Sequence, residues 1–476
     1  MPLEHPGAYS PQAESFLAKD VDDVHPTSST NQQLPISRLF PEILCHIFTL
    51  TLPTIEADTP TVARAPCAHY REAWHPGIPW TLGHVCAHWR TLALAYPPLW
   101  TTIVLSTANW KKEVYYLNLL LERSGSAPLD IVIRWTSGYT AKFAPDSFNW
   151  AVYWEVFRQH ARWHSLHIEL DGNGMMNDEF RTLGSLPLLR SLTFSGRGSP
   201  YPASSNLFFT GAVNLRRVML SPGGTIALPH LCIPWANLTS YKATDRRPAG
   251  NFMRLAAASR LVELDLNFVG DASTKGIGIV TLQSLRRLVI SHATFLAHIV
   301  APTLQDLHIR GPSPIEHILP FIHTSNCYLT RITLFKHSSP ASQVVHLLRE
   351  LPTLTGLALD FLGPPPETSA LVSALTIIDE RGVDGDIICP RLRELSWGDR
   401  NDTIDRKAFV EMVNSRWEPG RTGLRFVGLY LGRLRMKTAG LRLKALEREG
   451  LEAVVMNAKK GNRVMEGWRY YGHLYT

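Results

Sequence analysis

The sequence predicts an α/β chain: a small all-helical segment followed by a long stack of short strands joined by helices and loops. Three observations predict it. A pattern of apolar residues recurs down most of the chain, amphipathic helices stand near its start, and 476 residues are too many for one small core.

The recurring pattern is L-x-x-L-x-L with other apolar residues allowed. It begins at Trp163/Leu166/Ile168 and returns at Leu189, Leu215, Leu238, Leu261, Leu285, Leu304, Leu329, Leu354, Leu392 and Leu424. Successive first positions are separated by 26, 26, 23, 23, 24, 19, 25, 25, 38 and 32 residues. Most of these steps fall within the roughly 20–29 residues of a leucine-rich repeat. Each unit supplies one strand and cannot bury its apolar face alone, so stacking builds one continuous core. The asparagine that usually follows the third apolar position is mostly missing; Val269 stands there after Leu266. Irregular connections are therefore expected. The longest steps leave room for helices over 367–380 and 405–417.

Residues 1–31 are rich in Pro, Ser, Asp and His, lack an apolar period, and read as disordered. Residues 36–50 place Leu39, Ile43, Leu44, Ile47 and Phe48 at helical spacing, with Pro41 suited to a first turn. The proline-rich stretch 53–79 reads as a loop. A second helix is expected over 82–93, where Leu82, Val85, Cys86, Trp89, Leu92 and Ala93 share one face. Pro97-Pro98 ends it. A third helix is expected over 110–124, a buried strand over 129–135, and a terminal helix and strand over 438–449 and 451–456. The predicted organisation is thus a disordered segment 1–31, a helical module 32–105, a helix–strand linker 106–160, the repeat region 161–432, and a capping repeat 433–476.

The formal charge of +7 is spread out, without a basic block or tail, so composition does not favour a nucleic-acid partner. No apolar run approaches the roughly 20 residues of a membrane span, and the start of the chain shows no secretory signal. No membrane partner is expected, and a cytoplasmic or nuclear location is. The six cysteines are expected as free thiols, and the sequons at Asn237 and Asn401 as chance. G-x-S-x-G, H-E-x-x-H, G-x-G-x-x-G and phosphate-loop signatures are absent from the sequence, so no enzymatic role or cofactor is expected. Asp384-Gly-Asp386 reads as a turn. Cys67, His69, His75, His84, Cys86 and His88 have no zinc-finger spacing, and Cys86 is expected to pack as a small apolar residue.

Two segments together, Leu39-Phe-Pro-Glu-Ile-Leu-x-x-Ile-Phe48 and Val85-Cys-x-x-Trp-Arg-x-Leu-Ala93 followed by Pro98-Leu-Trp100, resemble an F-box. The stretch 121–130 and the repeat-bearing tail are similar to the F-box-like families of mushroom-forming fungi. The fold class this implies is a small all-helical F-box followed by an irregular leucine-rich-repeat-like α/β solenoid. The chain departs from the family at Phe40, where a proline is frequent, and in the length of 53–79. The resemblance implies docking on the Skp-type adaptor subunit of a Skp–cullin–F-box ubiquitin ligase. Its contact candidates are Leu39, Pro41, Ile43, Leu44, Ile47, Val85, Trp89 and Trp100. Helical spacing alone does not separate a docking face from a core face. A protein-interaction scaffold outside ubiquitination, with a degenerate F-box, stays open as the alternative.

In L-x-x-L-x-L the intervening residues alternate to the opposite face of the strand. Arg217, Lys242, Glu263, Asp265, Arg287, Asp306, His308, Arg310, Arg331, Phe335, Asp360 and Tyr430 are therefore expected on a concave face that binds a protein substrate. Glu169, Thr193, Met219, Asn267 and Glu394 are expected beside them. Their mixed charges suit a protein better than a nucleic-acid groove.

Overall fold

In the computed structural model the described residues are 36, 39–52, 77–106, 110–136, 150–171, 184–196, 207–222, 231–245, 248–268, 274–312, 314–361, 368–377, 387–399, 403–417, 423–432 and 437–457. The segments 1–31 and 53–76, together with Val269, Asp384-Gly-Asp386 and Asn401, lie outside them.

The apolar triplets form strands. In chain order these are β1 Thr102–Ser106, β2 Leu129–Thr136, β3 Trp163–Asp171, β4 Ser191–Gly196, β5 Leu207–Phe208, β6 Arg217–Pro222, β7 Leu231–Cys232, β8 Ser240–Asp245, β9 Glu263–Phe268, β10 Val280–Thr281, β11 Arg287–Ile290, β12 Ile299–Val300, β13 Asp306–Ile309, β14 Arg331–His337, β15 Gly356–Phe361, β16 Glu394–Asp399, β17 Phe426–Leu431 and β18 Glu452–Asn457. Fourteen of them make one sheet in the order β1-β2-β3-β4-β6-β8-β9-β11-β13-β14-β15-β16-β17-β18. Every pairing is parallel and joins strands that follow one another along the chain. The very short strands β5 with β7, and β10 with β12, form two small ribbons on the returning segments.

Register explains the spacing of the repeat. Leu192, Val218, Tyr241, Leu264, Leu288, Leu307, Ile332, Leu357, Leu395 and Val427 are partners in one column. Phe194, Leu220, Ala243, Leu266, Ile290, Ile309, Leu334, Leu359, Trp397 and Leu429 form the next inward column, and both columns are buried. The returning segments carry helices Pro248–Leu255, Ile318–Ser325, Ala341–Arg349, Thr368–Leu375, Arg406–Trp417 and Lys437–Arg448. Their Phe252, Phe321, Leu347, Leu371, Phe409 and Leu443 close the same core from the other side. Each buried Leu or Phe contributes roughly 1.5–3 kcal/mol relative to exposure, and one continuous cluster holds sheet and helices together.

The sheet begins earlier than the repeat pattern suggests, and its last strand is the terminal one expected over 451–456. β1 and β2 lie in segments expected as the end of the helical module and as a linker, yet they are its first two strands. β18 pairs with β17 and continues the stack. The connections vary in length and content, and polar side chains bind loop backbone at two of them. The Ser291 hydroxyl lies 2.9 Å from the Phe268 amide nitrogen, and Asp399 accepts from the Ile404 amide at 2.7 Å.

Before the sheet stands a helical module: Pro41–Leu50, Gly77–Gly83, Ala87–Ala95 and a 3-10 turn Pro97–Trp100. Pro41 sits at the helix start, where its missing N–H costs no bond. Leu44, Phe48, Leu82, Ala93, Leu99 and Trp100 form a separate small core. The Trp100 indole donates to the Ala93 carbonyl at 2.8 Å. The single helix expected over 82–93 is two. The chain breaks after Gly83, and Cys86 caps the second helix by accepting from the Trp89 amide at 3.4 Å. Cys86 is thus an exposed cap rather than a packed apolar residue. Among the described residues no helix is long and apolar enough to cross a membrane, and the five described cysteines are free thiols.

Candidate interaction surfaces

The helical module divides its apolar residues between two faces. Leu44 and Trp100, expected as contact candidates, are 0% and 1% exposed and belong to the module's own core. They hold the module together and do not present a surface. Leu39 and Trp89 are half-buried against that core, with Trp89 packed on Phe48 at 4.8 Å between ring centroids, and Ile47 is half-buried beside the exposed stripe. Pro41 is exposed at the helix start.

Other apolar side chains of the module are uncovered. Ile43 is 46% exposed and Val85 58%, and Phe40 is 71%, Leu50 72% and Leu94 42% exposed. Phe40, Ile43, Ile47 and Leu50 follow one another at intervals of three, four and three residues, so they form one stripe along the first helix. Leu44 and Phe48 lie on the adjacent, buried arc. The sequence alone missed Phe40, Leu50 and Leu94. Apolar periodicity spans both arcs of this helix and gives no sign of which one the chain covers.

The module is tied to the sheet through Arg123, in the last turn of helix Trp110–Ser124. Its guanidinium carbon lies 4.4 Å from the ring centroids of both Trp80 and Trp100. Leu120 of the same helix packs on the module's core.

On the sheet, register places every expected face residue on the side opposite the helices. Arg217, Glu263, Arg287, Asp306, Arg331 and Glu394 occupy one row. Thr193, Met219, Lys242, Asp265 and His308 occupy the next. Glu169, Asn267, Arg310, Phe335, Asp360 and Tyr430 lie further along their strands.

Charge on this face is paired internally. Arg287 Nε lies 3.4 Å from Asp306, Arg310 Nη2 lies 2.8 Å from Asp265, and Lys242 Nζ lies 3.9 Å from the same carboxylate. Arg331 reaches Glu394 at 3.0 Å, and Arg134 reaches Glu169 at 3.4 Å. Burial pushes the Asp306 carboxyl upward, while Arg287 and Arg331 pull it back down. His308 is buried, and its imidazole is lowered to about 3 by desolvation and the nearby Arg310, against the pull of Asp265.

The far end of the face is not open. His308, Phe335, Asp360 and Tyr430 are expected as substrate contacts but are only 1–5% exposed. Phe335, Ala358 and Tyr430 pack as a small cluster with Met456. The Asp360 carboxylate fills the space over Gly398, where an added Cβ would come within 2.5 Å of it. Strand alternation correctly gives the direction of these side chains, but not what they pack against. Arg217 is exposed, and Lys242, Glu263, Asp265, Arg287, Asp306, Arg310 and Arg331 are half-buried.

Among the described residues no group of three or more His, Cys, Asp or Glu could hold a metal ion. Cys67, His69 and His75 lie outside the described residues, and His84, Cys86 and His88 are each exposed. Comparison with protein-family models and with curated proteins gives no match, so the family resemblance rests on its motif residues.

Proposed function

We propose that the chain is a substrate-recognition adaptor of a Skp–cullin–F-box ubiquitin ligase. In this reading the helical module is an F-box that docks a Skp-type adaptor subunit, and the sheet with its helices is a leucine-rich-repeat-like solenoid that holds a protein substrate. The observation that carries it is a set of uncovered apolar side chains, Phe40, Ile43 and Leu50 along the first helix and Val85 between the two that follow, on a module whose core is complete without them. Leaving such side chains in water forgoes roughly 1.5–3 kcal/mol each, which a partner recovers on docking. No chemistry is assigned to the chain itself. Tethering raises the effective concentration of substrate lysines near the charged enzyme.

The test is capture of a purified Skp-type adaptor subunit by the full chain. Ile43→Asp and Val85→Asp each place a charge on the exposed face, and we expect at least about tenfold weaker capture with an unchanged melting temperature. Undiminished capture by both folded variants would sink the docking surface. Leu44→Ala is the contrast: it removes a buried side chain, costs about 2–5 kcal/mol, and weakens capture only by loosening the module.

A further inference from the structure

We infer that the edge of the sheet at the start of its strands is a binding rim for an extended, acidic polypeptide segment. The inference rests on reading the sheet as a partner-binding platform, and it names the chemistry of the partner.

The rim is built by one backbone ladder. The amide of Arg190 donates to the His164 carbonyl, Arg216 to Arg190, Thr239 to Arg216, Val262 to Thr239, and Arg286 to Val262. It continues through Gln305, Thr330, Thr355, Arg393 and Arg425, each amide bonded to the carbonyl of the residue before it in this series. Every ionisable side chain from His164 to Arg425 along this ladder is a base. The row just outside it adds Arg260 and Arg391, again without a carboxylate.

Arg190, Arg260, Arg286, Arg391, Arg393 and Arg425 are all exposed, and none has an ion-pair partner among the described residues. Arg216 differs: its guanidinium turns back onto the Val213, Leu215 and Asn237 carbonyls and fixes the rim loop. The contrast with the adjoining face is what points to a ligand. One residue further along the strands, Arg287 and Arg331 are matched by Asp306 and Glu394. The basic excess therefore stands on the rim, not on the face.

Spacing selects the occupant. Arg190 to Arg286, and Arg286 to Arg393, are each four strands apart, or roughly 19 Å, and Arg425 is one strand further. The whole rim spans about 43 Å, the reach of about thirteen extended residues. Guanidinium pairs bidentately with carboxylate, and intermittent anchors suit a chain with acidic residues at intervals. A nucleic acid carries a phosphate at every step and would meet Glu263, Asp306 and Glu394 immediately inside the rim, so the polypeptide is favoured.

The experiment is fluorescence anisotropy of a labelled Glu/Ser peptide of about fourteen residues on the full chain at about 0.15 M salt, with a single-stranded oligonucleotide of equal length alongside. The combined variant Arg190→Glu, Arg286→Glu, Arg393→Glu and Arg425→Glu is expected to bind the peptide at least about tenfold more weakly. The control Lys275→Glu, Lys407→Glu, Arg442→Glu and Lys444→Glu makes the same change in net charge outside the rim ladder and should lose less than about twofold. No peptide binding by the unmodified chain, equal loss in both variants, or tighter binding of the oligonucleotide would each overturn the inference. Adaptor capture is measured on the same proteins. Loss of peptide binding with capture intact strikes the rim alone, whereas loss of capture with peptide binding intact strikes the ligase reading.

Discussion

Arg331 Nη2 donates to Glu394 Oε1 at 3.0 Å across an intervening strand, because the residue between them is Gly356. A Cβ at Gly356 would stand 2.9 Å from Arg331 Cγ, where real contacts essentially never occur. Gly→Ala ordinarily gains about 0.4–1 kcal/mol by restricting the unfolded chain. Here we expect Gly356→Ala instead to lower stability by about 1 kcal/mol, since Arg331 must leave its carboxylate. Urea unfolding measures it. In a Glu394→Gln background the penalty should shrink by about 0.5 kcal/mol, and an unchanged penalty would mean that the bridge is not what the glycine protects.

The example separates what sequence carries from what it does not. The apolar triplets at Leu261/Leu264/Leu266 and Leu285/Leu288/Ile290 announce strands because burial demands period-two alternation locally. The helix at 110–124 is legible through the 3.6-residue period of its apolar side, and the one at 405–417 through the length of the repeat step that contains it. That Glu263, Arg287, Asp306 and Arg331 alternate in sign along one row becomes visible only when register brings residues about 20 positions apart side by side. The break at His84–Cys86 was hidden because Cys86 looks apolar by type and acts as a cap through its sulfur. Tyr430 and Phe335 alternate outward as expected, yet packing among distant repeats buries them.

Arg123 holds the module against the sheet. With its guanidinium 4.4 Å from both the Trp80 and Trp100 rings, it gains two cation–π contacts in a partly desolvated place. Arg123→Ala should cost about 1–3 kcal/mol. Arg123→Lys should recover less than half of that, because an ammonium cannot stack on both rings. Denaturation followed by tryptophan fluorescence reports the loss. Full recovery by lysine would show that charge alone, and not the planar stack, matters.

Arg416 is wholly buried. Its Nε donates to the Leu375 carbonyl that ends helix Thr368–Leu375. Nη1 and Nη2 donate to Cys389 at 3.1 Å and Ile388 at 2.7 Å. One side chain thus satisfies three carbonyls and pins a segment whose Cys389 has a positive φ of 50°. Arg416→Met keeps most of the volume but strands those acceptors, so we expect a loss of about 3–5 kcal/mol. Thermal unfolding decides it, and a loss below about 1 kcal/mol would mean that water or a shifted loop replaces the clasp.

Three buried histidines make the fold less stable as the solution is acidified. Burial lowers His167 and His337 to about 4 and, with Arg310 and Arg287 nearby, His308 to about 3. An unfolded histidine titrates near 6.5, so below that pH the unfolded chain takes up protons that the fold refuses. The stability they protect is complete above about pH 6.5 and falls as pH drops toward 4, by about 1 kcal/mol per histidine between pH 7 and 5.5. Asp306 acts in the opposite sense: its carboxyl is raised, so acid relieves a cost there. His337 offers the cleanest test. It is 1% exposed, neither ring nitrogen has a hydrogen-bond partner, and its ring sits 4.5 Å from that of Phe361. His337→Phe keeps the ring contact and removes both the titration and the unsatisfied nitrogens. Urea unfolding from pH 7.5 to 5 should show the variant gaining about 2 kcal/mol on the parent as the solution is acidified. Parallel pH profiles would show that His337 takes up its proton without opening the fold.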